Sequence, residues 1–395
     1  MRAPSYPTTA PASRPRVLLV CSGLDHARRG FESFARECFE VLRDDPGVDI
    51  ELVKGSGPPG PGERSIPSMR RNHPVVQALS RLSGARAYRI EALTFAFSVQ
   101  PVVARRQPDV IYLSEWDTAR ALARLRSLTR QHFKLLLCNG TLVAEGFEHL
   151  DRVQDLTPAA HEYVLERGAD PARHTVLPLG VHIEREFVRS TAAERLALRQ
   201  RLGLPEDRTI VLSVAALNRQ VKRLDYLIEE VAALPQPRPF VLMVGEGDAD
   251  TPTLRSLTHQ RLGEDGFDIR TVRPVEVPDL YRASDVFVLA SLVESQGRAL
   301  IEAAANGIPC VAHDYPITRY ALADYGIFGD FTRSGSLTGL LREHAAANPE
   351  IIHGLARAAR RHVYERFSWE RLRPRYVELL KDVARAERRE NARPG

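Results

Sequence analysis

The sequence predicts two α/β domains in tandem, each a doubly wound parallel sheet with helices on both faces. Three observations point there. At 395 residues the chain is too long for one ordinary core. Short apolar runs alternate with amphipathic stretches, the pattern of strands joined by crossover helices. That pattern lapses between residues 180 and 205 and then starts again.

Residues 1–14, MRAPSYPTTAPASR, lack the apolar core of a signal peptide and read as a disordered tail. A first domain is expected over 15–190. RVLLVCSG (Arg16–Gly23) is a buried strand that ends in glycine. GFESFARECFEVL then aligns Phe31, Phe34, Cys38 and Phe39 on one helical face, with the helix starting at Phe31. DVIYL (Asp109–Leu113) and FKLLLC (Phe133–Cys138) are further strands. Thr157 supplies an N-cap, Pro158 a first helical position and Gly168 a stop.

A second domain is expected over 191–365. Its strands are Thr209–Val214, Phe240–Gly245, Asp285–Ser291 and Pro309–His313. Helices lie between them at Leu224–Ala233, Thr253–Leu262 and Arg298–Asn306. The Asn306-Gly307 pair marks a helix C-terminus, with Pro309 just beyond. Residues 366–395 form an amphipathic closing helix and a charged tail. Doubly wound sheets bind ligands at the carboxyl ends of their strands, so the loops that follow strands are the ones to read for chemistry.

Composition narrows the function classes. An apolar fraction of 44% and a charged fraction of 27% fit a soluble globular protein. A net charge of +5 does not demand nucleic acid as a partner. Cys21, Cys38, Cys138 and Cys310 are far apart and form no CxxC pair. No zinc site or disulfide framework is therefore expected, and a reducing cytoplasm is the default. No run approaches the roughly 20 apolar residues of a membrane span. The basic segment Ser68–Arg89 leaves a possible peripheral membrane contact, although a solvated helix is the commoner outcome.

The stretch VESQGRALIEAAANGIPCVAHD, Val293–Asp314, follows one of these strands. It places Glu294 in the loop and Glu302 in the second turn of the next helix. Gly297 allows a tight turn and exposes amide N–H groups at the helix start, where anions are welcome. Carboxylates accept hydrogen bonds and can hold two adjacent hydroxyls. A ligand with diols at one end and phosphates in the middle, such as a nucleotide sugar, suits this arrangement. The plainer account is two glutamates complementing a helix dipole.

With its flanks, LYRASDVFVLASLVESQGRALIEAAANGIPCVAHD resembles the donor-site signature of retaining GT-B glycosyltransferases of the family-4 type, the glycosyl transferases group 1. The matching positions are Glu294, Glu302, Ala303, Gly307 and Pro309. The resemblance implies two Rossmann-like domains facing each other across a cleft. It also implies transfer from a nucleotide-sugar donor to an unidentified acceptor, with retention of configuration, no metal and no cofactor. Glu302 would accept from the ribose hydroxyls and Glu294 from the donor sugar, with Gln296, Gly297 and Arg298 alongside. Gln296 stands where the family has an aromatic residue.

In SVAALNRQVKRLDYLIEEV, Lys222 matches the family's phosphate-binding lysine, which with Glu294 belongs to the catalytic set. The family's preceding Gly-Arg is here Ala215-Ala216, so Arg219 is the candidate replacement. Two cations there would stabilise the departing diphosphate. Gly30 matches the last glycine of the first-domain loop. Gly23, His26 and Arg28 from the same loop are acceptor-side candidates. Asn139 is a fourth, standing where many relatives carry a histidine. Gly245 is the cleft-edge turn, and Val272 and Arg273 occupy the base-binding segment.

Other readings are weaker. A dinucleotide dehydrogenase needs GxGxxG after a strand, and neither GLDHARRG nor GEGDAD supplies it. The triplet DAD, Asp248–Asp250, imitates the metal motif of GT-A enzymes but fits a helix start better. A nucleotide-sugar epimerase of GT-B architecture, or a non-catalytic sugar-nucleotide-binding protein, would keep the same donor grip.

Overall fold

The computed structural model describes residues 14–27, 30–83, 86–140, 145–186 and 190–386. These residues divide into two compact units. The first runs to Asp155 and adds Val164–Leu177 and the chain from Arg373 onward. The second comprises Leu156–Tyr163 and Pro178–Leu372.

In the first unit the strands are β1 (Arg16–Cys21), β2 (Asp49–Lys54), β3 (Glu63–Ser65), β4 (Val110–Leu113), β5 (Lys134–Asn139), β6 (Arg152–Asp155) and β7 (His174–Val176). Its sheet has the order β3-β2-β1-β4-β5-β6-β7, and every pairing is parallel. Helices α1 (Gly30–Leu42), α2 (Pro74–Ser83), α3 (Ala87–Arg106) and α4 (Trp116–Thr129) lie between them in the chain, and α5 (Pro158–Leu165) begins in the second unit and ends in the first. The first helix starts at Gly30, one residue before the Phe31 expected. Thr157 caps α5 as expected, its Oγ1 accepting from the Ala160 amide at 3.1 Å.

The second unit holds α6 (Ala192–Leu202), β8 (Ile210–Val214), α7 (Leu224–Ala232), β9 (Phe240–Val244), α8 (Thr251–Leu262), β10 (Phe267–Arg270), α9 (Val277–Ala283) and β11 (Val286–Leu289). It continues through α10 (Arg298–Ala305), β12 (Cys310–His313), α11 (Pro316–Leu322), β13 (Ile327–Gly329), α12 (Ser336–Ala346) and α13 (Pro349–Phe367). The last helix, α14 (Trp369–Arg385), passes into the first unit at Arg373. The second sheet is also all parallel, in the order β10-β9-β8-β11-β12-β13.

Both faces of the second sheet are covered, as its apolar runs require. Ile210 and Leu212 of β8 cluster with Ile301, Ala304 and Phe367, while Val211 between them clusters with Leu227, Ile228 and Leu337. Each fully buried Leu, Ile or Val stabilises the fold by about 1.5–3 kcal/mol. The strand ends are thus pinned by the core, and the loops beyond them can carry polar chemistry.

In the first unit α14 supplies a core residue. Tyr376 packs against Phe34 with ring centroids 5.9 Å apart, and its hydroxyl accepts from Gln154 Nε2 at 3.0 Å. Among the described residues no helix is long and apolar enough to cross a membrane.

Strand order places the candidate sites. In the first sheet, successive strands run outward from β1 to β3, then resume on the other side of β1 with β4. In the second, the same reversal falls between β8 and β11. The loops after β1 and β4, and after β8 and β11, therefore diverge from one another and leave crevices at the carboxyl ends of the strands.

Candidate active site

At the reversal point of the second sheet, Lys222 from the loop after β8 meets Glu294 from the loop after β11. Lys222 Nζ lies 2.5 Å from Glu294 Oε1, and Ser291 Oγ donates to the same oxygen at 2.5 Å. The Asn218 side chain builds the turn that carries Lys222, its Oδ1 accepting from the amides of Val221 at 3.2 Å and Lys222 at 3.0 Å. Arg223 follows in the left-handed region at φ +51° and donates to the Phe331 carbonyl at 2.9 Å, which anchors the loop's far end.

Two further ion pairs flank this one. Arg219 grips Asp250 through Nε and Nη2, with distances of 2.7–3.0 Å, and its amide donates to the same carboxylate at 2.8 Å. These hydrogen bonds raise the Arg219 pKa and lower that of Asp250. Asp250 stands just before α8, so the DAD triplet is a loop and helix start, as its sequence suggests. Arg298 Nε donates to Glu302 Oε1 at 2.8 Å, and its Nη1 donates to the Gly180 carbonyl at 3.0 Å. Gly297 precedes α10 at φ +72°, a left-handed conformation that a Cβ would strain. The site thus presents three cations, each already matched with a carboxylate. That suits a ligand carrying both anionic and polyhydroxylated parts.

The other second-unit candidates differ in what they offer. Gly245 closes β9 against the backbone of Ala215. Val272 is half-buried against the core, whereas Arg273 is exposed and paired with Glu276 at 3.1 Å. Gln296 is buried, and its side chain is already engaged. It accepts from the Leu179 amide at 2.7 Å and donates to the Leu179 carbonyl at 3.0 Å. Gln296→Ala is expected to cost about 2 kcal/mol of stability, because it strands two backbone groups. An unchanged thermal unfolding midpoint would show that those groups find other partners.

At the reversal point of the first sheet a denser polar cluster appears. Ser22, directly after β1, donates through its amide to Glu115 at 3.0 Å, and its hydroxyl lies 2.5 Å from Glu115 and 3.1 Å from Glu91. His26 bridges Ser56 and Glu91 at 2.9 and 3.0 Å. Arg71 binds Glu91 through Nε at 2.6 Å and Nη2 at 3.1 Å. Gly23 lies against Glu32 and Arg71. Asn139 ends β5 and donates to Asp155 at 3.2 Å. Gly30 is exposed at the start of α1, and Arg28 lies outside the described residues.

Burial pushes the Glu115 carboxyl up despite hydrogen bonds from Ser22 and Thr118. Burial would also raise Glu91, but hydrogen bonds from His26 and Arg71, and the Arg71 charge, outweigh it and hold Glu91 at about 2. The sign follows from linkage. A depressed carboxylate stabilises the fold fully above its unfolded value of 4.5, and the gain is lost as pH falls toward about 2. Glu115 acts in the opposite sense, favouring the fold at low pH. Glu91→Gln is therefore expected to flatten the acid limb of a denaturant-midpoint profile. An acid limb as steep as that of the parent protein would contradict this.

Residues 194–345 match the family model described as glycosyl transferases group 1. The second unit carries a glycosyl transferases group 1 domain. Among curated relatives, a D-inositol 3-phosphate glycosyltransferase of Streptomyces bingchenggensis is 32% identical over 246 residues, 58% of this chain and 52% of the relative. That of Geodermatophilus obscurus is 33% identical over 255 residues, 60% of this chain and 54% of the relative. The chain spans about half the length of these curated relatives. Sucrose-phosphate synthase from Thermosynechococcus elongatus superposes with a TM-score of 0.77 at 19% identity, covering 94% of this chain and 99% of that one. Anabaena HepE in complex with UDP and glucose gives 0.72 at 16% identity, covering 93% and 100%. The fold is the GT-B type that the sequence resemblance implied.

The group 1 domain contains every second-unit residue singled out from sequence. Among the donor-side candidates Arg298 and Glu302 lie in α10, and the others in loops or turns beyond strand ends. Several participants in the two clusters were missed, among them Ser22, Arg71 and Ser291 as well as the carboxylates of Glu115, Asp250 and Glu91. Glu115 had a readable signal, since it follows a predicted strand by two residues. Asp250 lay in plain view inside the DAD triplet. Glu91 had none, because it sits within α3, a helix that the apolar pattern did not announce.

Proposed function

We propose that the chain transfers a glycosyl group from a nucleotide sugar to a hydroxylated acceptor, with retention of anomeric configuration and without a divalent metal. The observation that carries this reading is the Lys222–Glu294 contact at 2.5 Å, placed by the strand reversal beside the start of α10. The donor diphosphate would take over Lys222 and Arg219 from their carboxylates. The sugar and ribose hydroxyls would in turn donate to Glu294 and Glu302. Glu294 would thereby exchange Lys222 for sugar hydroxyls, and Asp250 would keep the hydrogen bond from the Arg219 amide at 2.8 Å, which limits the desolvation cost of closing the site.

In the reaction the bond between the anomeric carbon and the diphosphate oxygen breaks. The acceptor oxygen bonds to that carbon on the same face, and its proton passes to the departing phosphate oxygen. No protein nucleophile is needed; the protein supplies position and charge. The first unit would receive the acceptor beside Ser22 and His26. Uridine diphosphate donors come first for testing, because a structural neighbour, HepE, is described in complex with UDP-glucose.

The test is a binding and hydrolysis panel of UDP-, GDP- and dTDP-sugars, with and without EDTA, on the parent protein and Glu302→Ala. One donor is expected to bind without metal, and Glu302→Ala to weaken it about tenfold or more, the worth of a charge-assisted hydrogen bond. Donor binding unchanged in Glu302→Ala, or turnover abolished by EDTA, would end this reading.

A further inference from the structure

The second unit has a cavity at the other edge of its sheet. Asp285 precedes β11 and Pro309 precedes β12, so the walls they form lie at the strand N-termini, away from the donor loops. The cavity measures about 220 Å³. Arg195 of α6, Arg282 of α9, His344 of α12 and His353 of α13 contribute to its lining. Asp285 is the single carboxylate there, and it is spent. It binds Arg195 at 2.9 Å and Arg199 at 2.6 Å and accepts from the Ile210 amide at 2.8 Å. Ile308, Pro309 and Ile352 supply an apolar floor.

One wall residue has unfinished hydrogen bonding. His344 Nδ1 is shielded from solvent and has no hydrogen-bond partner. A buried polar atom in that condition is uncommon in native folds and asks for a reason. Burial also holds the imidazole below its ordinary pKa, in the neutral form. An anionic occupant would favour the protonated ring and, with the imidazole turned toward the cavity, would supply the missing hydrogen-bond partner.

We infer that this cavity is a second ligand site, and that it takes a small phosphomonoester. Arg195 shares Asp285 with Arg199, and Arg282 shares Asp279 with Arg201, so four guanidinium groups face two carboxylates here. That surplus of positive charge matches a phosphate dianion, which guanidinium groups bind through paired N–H donors. The volume equals about seven waters at roughly 30 Å³ each, more than one phosphate group needs. It is also below the roughly 300 Å³ at which pockets for larger ligands begin. An ester with a body of a few carbons lying on Ile308 and Ile352 fits between those limits.

The site shares a wall with the donor grip. Tyr281 lines the cavity, and its hydroxyl donates to the Ala299 carbonyl at 3.2 Å and lies 3.5 Å from Glu302 Oε2. Asn306, also in the lining, donates through Nδ2 to the Glu302 carbonyl at 2.9 Å. An occupant thus touches two residues that contact Glu302, which is where an effector of the donor site would sit.

Calorimetric titration of the full chain with inorganic phosphate, glycerol 3-phosphate and glucose 6-phosphate tests the assignment. At least one ester is expected to bind ten times more tightly than inorganic phosphate. Ala345→Trp, at an exposed lining position, is expected to abolish that binding by filling the space. Arg282→Ala, on a half-exposed side chain, is expected to weaken it tenfold. Glu302→Ala is expected to retain it, which separates this site from the donor site and its test from that of the glycosyl transfer reading. Failure of every ester to bind would overturn the assignment, as would binding unaltered in Ala345→Trp and Arg282→Ala. Loss of binding in Glu302→Ala would overturn it too, by placing the phosphate in the donor loops.

Discussion

Lys222→Ala is expected to lower the turnover number for glycosyl transfer at least 100-fold while changing the donor KM much less. Preorganised charge aimed at a leaving group acts mainly where negative charge grows, in the transition state. A 100-fold loss corresponds to about 2.7 kcal/mol of barrier. The geometry makes Lys222 the residue to test, because its turn is fixed by Asn218 and its ammonium sits 2.5 Å from Glu294. Lys222→Arg would restore the charge on a wider, planar head and is expected to recover only part of the rate. Steady-state kinetics with thermal unfolding on the same samples checks the expectation. If Lys222→Ala turns over normally and merely melts earlier, the pair with Glu294 is scaffold and the transfer mechanism lacks its charge term.

Gly245→Ala is the second large effect, and it acts through backbone alone. A Cβ built on Gly245 would stand 1.7 Å from the Ala215 carbonyl oxygen and 2.7 Å from its carbon. Neither atom belongs to a side chain that can turn away. The ends of β8 and β9 would have to separate, against the hydrogen bond from the Ala215 amide to the Val244 carbonyl at 2.9 Å and that from the Gly245 amide to the Arg270 carbonyl at 3.0 Å. Overpacking of this severity costs about 3 kcal/mol. For a unit of this size that lowers the melting temperature by roughly 6–12 °C. Ala215 leads directly into the loop that carries Arg219 and Lys222, so donor binding should weaken as well. Gly247→Ala is the control, since its Cβ would meet only the Thr251 side chain, nearest at Oγ1 at 3.2 Å. Equal melting temperatures for Gly245→Ala and the parent would mean that the strand ends part at little cost.

The contrast between those two glycines shows what a sequence can reveal. Both stand in one GEG triplet, and nothing in the letters separates the position that forbids a Cβ from the one that tolerates it. Strands and their following loops were legible because apolar runs of four to six residues are hard to build any other way in a parallel sheet. The Glu294 and Glu302 positions were legible because the loop grammar around them is shared with a known family. The partners were not. Arg219 finds Asp250 and Lys222 finds Glu294 only after β8 is placed between β9 and β11, a choice that sequence order conceals. Gln296 reads as a polar loop residue offered to a ligand, yet its amide is committed to the Leu179 backbone. Glu91 lay beyond reach for a different reason. It is a fully buried charge in α3, a helix whose apolar positions follow no single face.

The return of α14 to the first unit has a consequence for biosynthesis. That unit's core includes Tyr376, which cannot be present when Leu177 leaves the ribosome. At about 5–20 residues per second, the intervening chain takes roughly 10–40 s to translate. Most of the second unit, from Pro178 to Leu372, emerges during that interval and can complete its sheet first. The usual N-to-C order of domain maturation is thereby inverted, and a nascent chain arrested near residue 180 would expose the Phe34 ring that Tyr376 later covers.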